Sequence, residues 1–274
     1  MQAIADVVKE FRSLLEKAEG EQVYQAFLER HTQLIPREFI QNHGVHFSLV
    51  LRKLAMARDY TTDFFYLSKS SMDWHAVLVE LEKPHSHYFS DPSKEFHRDF
   101  VTALQQISRW RAWFSESENH ASFVNGTLGL VRLPIGMQRH PCHIKYVLVL
   151  GRRREFENNP IRRQLIHAQE RDDFKILSYD SLTEDVGARD ELYVGIRKNE
   201  YIDIISDKFL SESIFASMSP ETLRISRALK EQALSKKGTW FHVGIDEDGK
   251  EFPQMERALR NIRLRDSIAG SASS

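Results

Sequence analysis

A single cysteine, Cys142, is the only thiol in the chain, so no intrachain disulfide can form and a secreted disulfide scaffold is excluded. Long apolar runs are also missing. The longest, such as Tyr146 to Leu150, are far too short to span a bilayer, so no membrane association is expected. The opening residues MQAIADVVKEF lack the basic-then-apolar order of a signal peptide, which makes the cytoplasm the expected location. Charge is nearly balanced, with 38 Lys and Arg against 39 Asp and Glu, so no global field draws in nucleic acid. A nucleic-acid partner would have to be met by a local basic surface. No internal repeat is present, and low complexity is confined to the final AGSASS. Hydrophobic residues make up 41% of the 274 positions, enough to bury a real core in one large domain or two modest ones.

Apolar periodicity divides the chain into elements. Ile4, Val7, Val8, Phe11, Leu14 and Leu15 recur at three- and four-residue intervals and predict a helix ended by Gly20. A second helix follows, with Val23, Phe27 and Leu28 on its apolar side. The two form an N-terminal helical segment over 1–40, either a cap or the first layer of the main domain. Three β-rich stretches come next, His46 to Met56, Thr61 to Leu67 and Trp74 to Lys83, which predict an antiparallel meander stopped by Pro84. Residues 94–114 carry a wide apolar stripe from Phe96 to Trp113 and predict a helix. A strand at 146–150, a helix from about Pro160 to Glu170 and a strand at 174–177 read as a parallel crossover appended to the meander. A soft boundary near 190 separates this 41–190 unit from a C-terminal α+β extension over 191–274. That extension has loose alternation over 192–205, a helix from Pro220 to Ser235, a hairpin around Trp240–Ile245 with an Asp248-Gly249 turn, and a last short helix.

Two acidic features fall where a core strand should not carry charge. Asp63 interrupts YTTDFFYL, and Glu80 and Glu82 end the run VLVELEKP. With a period of two, Glu80 and Glu82 project from one strand face while Lys83 belongs to the other. A buried carboxylate is costly unless it is paired, hydrogen-bonded or bound to a cation. Carboxylates converging from adjacent strands suit a hard divalent ion such as Mg²⁺, which takes oxygen ligands and keeps waters. The bland alternative is an edge strand with solvated glutamates and Asp63 in a turn.

The segments DFFYL from Asp63, VLVELEKP ending at Pro84 and ALQQISRWRAW ending at Trp113 resemble the Shedu anti-phage defence family. Its conserved domain looks like a member of the PD-(D/E)xK nuclease superfamily. EQVYQAFLERH from Glu21 is similar to that family's upstream helix, and the stretches beginning at Val147 and Ile176 to its later strands, so the resemblance covers about residues 10–190. It implies an α/β fold with a PD-(D/E)xK restriction-endonuclease-like core, a mixed sheet flanked by helices. It further implies a DNA endonuclease dependent on Mg²⁺ (or Mn²⁺), working in phage defence as a homo-oligomer. Asp63 and Glu80 would be the metal ligands, and Gln106, which shares a helix face with Trp110, would point at the site. One departure stands out: the usual acid-x-Lys motif has Glu82 in place of the lysine. Either Glu82 serves as general base or third ligand, or Lys83 swings in, or the site is weakened to a DNA-binding or sensor module.

Weaker features complete the reading. Arg152, Arg153 and Arg154, with Arg162 and Arg163, form a basic cluster fit for DNA phosphates or for pairing with nearby Glu155, Glu157, Glu170 and Asp172. His85 and His87 lack a third ligand at zinc spacing and read as exposed loop histidines. Asp246 to Gly249 reads as a hairpin turn rather than a calcium loop, the row Arg257, Arg260, Arg263, Arg265 as a solvated helix face, and Cys142 as inert.

Overall fold

The computed structural model describes residues 3–56, 60–132, 137–206 and 222–225. Two helices open the chain, α1 (Ile4–Leu15) and α2 (Glu21–Arg30), followed by a 3₁₀ turn at Thr32–Leu34. The meander then forms as β1 (Val45–Ala55), β2 (Thr61–Lys69) and β3 (Trp74–Leu81), all antiparallel neighbours. A long helix α3 (Arg98–Ser115) and a short α4 (Ser117–Ser122) lead to β4 (Cys142–Val149), which lies parallel to β3. The crossover α5 (Pro160–His167) then delivers β5 (Phe174–Leu177) parallel to β4.

The sheet does not stop near residue 190. Strand β6 (Tyr193–Arg197) pairs in parallel with β1, and β7 (Ile202–Ile204) and β8 (Leu223–Ile225) continue the same sheet, giving the order β5-β4-β3-β2-β1-β6-β7-β8. Tyr193, Val194, Ile202 and Ile204 are buried, so their loose alternation marks strands that add to the core of this sheet. The helix expected from Pro220 is corrected at Leu223–Ile225, where the chain is extended. Three apolar or long side chains in a row satisfy either pattern, and pairing with β7 decides for strand. The remainder of that helix, the expected hairpin at 240–249 and the arginine row lie outside the described residues.

The central strands are buried on both faces, so each face packs its own helical layer. Val50, Phe64, Tyr66, Val77 and Val79 meet Val7, Phe11, Tyr24, Phe27 and Leu28 of the first two helices. Leu51, Phe65, Leu67, Ala76 and Leu78 meet Phe100, Ala103, Ile107 and Trp110 of α3. The N-terminal helices are therefore a layer of the fold. Within α2, Val23 proves exposed and Tyr24 takes the core position instead. Helix α3 starts four residues later than its apolar stripe suggests, because His97 caps it by accepting from the Asp99 N–H at 3.2 Å, while Phe96 bridges back to Phe89.

Candidate active site

Strands β2 and β3 part company near one end. Their backbone ladder closes with Phe64 opposite Val79. Beyond that pair, side chains span the gap. The Thr62 hydroxyl donates to the Val79 carbonyl at 2.8 Å, and Asp63 Oδ2 accepts from the Leu81 N–H at 2.7 Å. The register places Asp63 across from Lys53 on β1, since Arg52 faces Phe64 and Leu54 faces Thr62. Lys53, Asp63 and Glu80 thus come together across three adjacent strands, where the sheet opens between the two helical layers.

Each carboxylate of this opening has a distinct environment. Asp63 is buried, and its Oδ1 accepts from the Lys53 ammonium. Glu80 is buried too; its Oε1 accepts from the Gln106 amide on α3, while its Oε2 is buried with no hydrogen-bond partner. Burial first, then the charges of Asp63, Glu82 and Glu21, push the Glu80 carboxyl well above its ordinary range, against a smaller lowering by Lys53. Burial also leads for Glu82, with Glu21, Asp63 and Asp99 adding to it, and raises its carboxyl to about 7. Glu21, in the first turn of α2, is raised by burial and by Asp63. For Lys53, burial disfavours the charged form, but the bond to Asp63 and the fields of Asp63, Glu21 and Glu80 prevail and raise it. Such crowding of like charge is stable only if a cation or protons are shared among the group.

The main chain around Glu82 is held from both sides. Its N–H donates to the Val149 carbonyl at 2.8 Å, and the buried Tyr179 hydroxyl donates to its carbonyl at 2.5 Å. Gly151, at φ +61, lies so close to Ser86 and Tyr88 that a Cβ would collide with both, and its N–H donates to the Lys83 carbonyl at 3.3 Å. Lys83 therefore stays exposed at the strand end, while Glu82 stays partly buried among the carboxylates.

Of the residues expected from sequence, Asp63, Glu80, Glu82 and Gln106 converge, and Gln105 is exposed beside them on α3. Lys83 contributes only its field, which lowers Glu82 and Glu21. Arg152 is committed elsewhere, to Asp180 and Glu16 at 2.9 Å each and to the Leu15 carbonyl. Arg153 pairs with Glu184, and the exposed Arg154 lies 3.9 Å from Glu16. Arg162 pairs with Asp91. His85 and His87 are exposed, and Cys142 is buried with its thiol pushed up to about 12 by burial. Two members of the site escaped the sequence reading, Lys53 and Glu21. The usable signal for Lys53 was the meander itself: counting the register across the β1–β2 turn places it opposite Asp63.

The donors are all hard oxygens, and the orphaned Glu80 Oε2 is the kind of atom that a divalent ion would satisfy. Among the described residues no group of three or more His, Cys, Asp or Glu side chains is gathered tightly enough to hold an ion. By chemistry alone these oxygens suit a hard divalent ion, although both Asp63 oxygens are already bonded, to Lys53 and to the Leu81 N–H.

Comparison with protein families bears on this arrangement. The family model described as Shedu protein SduA, C-terminal, matches residues 18–183, more than half of the chain. The chain belongs to the Shedu family. Glu21, Lys53, Asp63, Glu80, Glu82 and Gln106 all lie inside the matched Shedu region, whereas β6, β7 and β8 lie beyond it. No curated protein matches the chain. Shedu membership suggests a part in anti-phage defence. Among the described residues no helix is long and apolar enough to cross a membrane.

Proposed function

We propose that this Shedu protein is a DNA endonuclease dependent on Mg²⁺ or Mn²⁺, built on a PD-(D/E)xK-like core and acting in anti-phage defence. The observation that carries this reading is the Glu80 carboxylate: buried, held on one oxygen by Gln106, orphaned on the other and crowded by Asp63 and Glu82. Asp63 and Glu80 would hold the ion. When bound, the ion supplies Lewis acidity to a phosphoryl oxygen and acidifies a coordinated water. Gln106 fixes the rotamer of Glu80 from α3, and Glu82 stands beside the pair as the acceptor for the proton of the attacking water. Paired strand-borne carboxylates on a rigid sheet give the positional accuracy that an in-line displacement requires.

The deciding experiment is cleavage of plasmid and linear duplex DNA with Mg²⁺ or Mn²⁺. Wild type should cut, Glu80→Ala should fall to background, and Gln106→Ala should lose about 10–100-fold, as for groups that orient a metal ligand. Equal cleavage by wild type and Glu80→Ala removes this assignment. A second reading, a nuclease fold that binds DNA without cutting it, draws on one observation: position 82 is a glutamate and a lysine ammonium already neutralises Asp63. Salt-sensitive duplex binding without cleavage under any divalent ion would favour it.

A further inference from the structure

Carboxyl groups crowd the end of the β2–β3 ladder. The charges of Glu21, Asp63, Glu80 and Glu82 act on one another there, and a phosphodiester arriving at the site adds one more. Two lysines influence the group, and they are placed very differently. Lys83 is exposed past the end of β3 and acts only through its field. Lys53 sits inside the row, its ammonium bonded to Asp63 Oδ1 and 4.0 Å from Glu21 Oε1. Its side chain is nevertheless 43% exposed, so the charged head can be reached from solvent.

The backbone at Lys53 is unusual in a way that bears on its role. Its φ is +47, in the left-handed region, although it lies within β1 between residues that keep regular pairing with β2. A long side chain rarely adopts this conformation, and such residues concentrate where a function requires a specific direction. An ordinary surface counter-ion has no need of it. In β1, where Phe47 and Ser48 also have positive φ, Lys53 meets the carboxylates in the same part of the sheet where β3 is followed by Glu82 rather than a lysine.

We infer that Lys53 is the cationic group of this site and contacts the phosphate at the point of cleavage, taking over from β1 the charge that position 82 on β3 does not provide. The ligand class is the phosphodiester backbone of DNA, and the inference rests on the proposed nuclease reading. Phosphate contact by an ammonium is independent of base sequence, so its loss should weaken all duplexes alike.

The test uses the full chain and three variants, Lys53→Met, Lys53→Arg and Lys53→Gly. Glycine accepts the left-handed backbone without strain, which keeps the strand geometry while removing the ammonium, and it guards against a methionine variant that fails to fold. Three readouts are taken: cleavage of a duplex in Mg²⁺, duplex binding in Ca²⁺ across a salt series, and thermal melting. Loss of the ammonium should lower cleavage by about 100-fold or more, the scale of removing one group that stabilises developing charge. It should also make the salt dependence of log K shallower by about one phosphate contact. Lys53→Arg should restore the salt slope. Wild-type cleavage by Lys53→Met and Lys53→Gly would overturn the inference and leave the nuclease reading intact. So would a change in melting with no change in salt slope. If the wild type binds duplex but cuts with no divalent ion, the nuclease reading fails and the salt slope alone decides the Lys53 contact. If the wild type neither cuts nor binds, both are overturned.

Discussion

Glu80 has two oxygens with different fates, one bonded to Gln106 and the other buried alone, and that asymmetry is the strongest residue-scale lever on the site. A divalent ion that satisfies the lone oxygen binds the folded chain only, so it must stabilise it. Wild-type melting should rise with Mn²⁺, by about 2.7 kcal/mol at a hundredfold excess over Kd, and Glu80→Gln should show no such rise. Thermal scans with and without chelator measure this directly; equal gains in both proteins would place the ion elsewhere. Glu82 yields a pH prediction. Its carboxyl is raised from 4.5 to about 7, chiefly by burial and then by Glu21 and Asp63. The folded chain therefore keeps a proton that the unfolded chain releases, and the stabilisation present below about 4.5 is lost as pH climbs toward 7. In chelator, the stability advantage of Glu82→Gln over wild type should grow through that window and level off above it. A difference that stays constant from pH 4.5 to 8 would contradict the shift. Asp63 and Glu80 were legible in the sequence because charge interrupts otherwise apolar strands. Glu21 was not, since a glutamate in the first turn of a helix is ordinary where it favours the dipole. Gln106 was visible only through family resemblance, because a helix-surface glutamine carries no periodic signal of its own.

At the scale of elements, the site exists because β2 and β3 stop sharing a backbone ladder after Phe64 and Val79. Thr62 and Asp63 replace the missing ladder bonds with side-chain ones, to Val79 and to the Leu81 N–H. These side-chain bonds tie β2 to β3 beyond the last ladder pair. Thr62→Val removes the hydroxyl from a fully buried position and strands the Val79 carbonyl. It should cost about 1–3 kcal/mol in denaturant melts, with little change in m-value, since the loss is local. A neutral result would mean that β2 and β3 can re-form a direct ladder there. The strands themselves followed from their apolar, aromatic and β-branched residues, and the parallel crossover from β4 to β5 from the order strand, helix, strand. What alternation cannot show is where a ladder opens or where β1 turns left-handed at Lys53, because both are set by pairing partners distant in sequence rather than by local residue type. Helix boundaries moved for a similar reason, as at α3, where a capping histidine rather than the first aromatic residue defines the start.

Among the described residues the sheet is covered on both faces, and both helical layers reach the site, α2 with Glu21 and α3 with Gln106. The region matched by the Shedu family ends at residue 183, yet the sheet continues through β6 and β7 against β1. The texture of the sequence shifts near 190 and looks like a domain edge, while the hydrogen-bonded ladder runs on through β6 and β7. Strand β1 carries Lys53, so whatever steadies β1 also steadies the site. Gly195 of β6 lies so tightly against Leu49, Ile202 and Ile204 that a Cβ would come within 2.9–3.3 Å of each, which shows how closely this second half of the sheet is fitted. Ending the chain after Asp190 would strip β1 of one of its two partners, leaving an unpaired strand edge and uncovering the buried Leu49 and Leu51. That truncated chain should lose cooperative unfolding or self-associate, read by circular dichroism melts and size-exclusion chromatography. A truncated chain that stays monomeric, melts cooperatively and binds duplex as the full chain does would show that residues 1–190 suffice by themselves and that β6 and β7 merely lean on them.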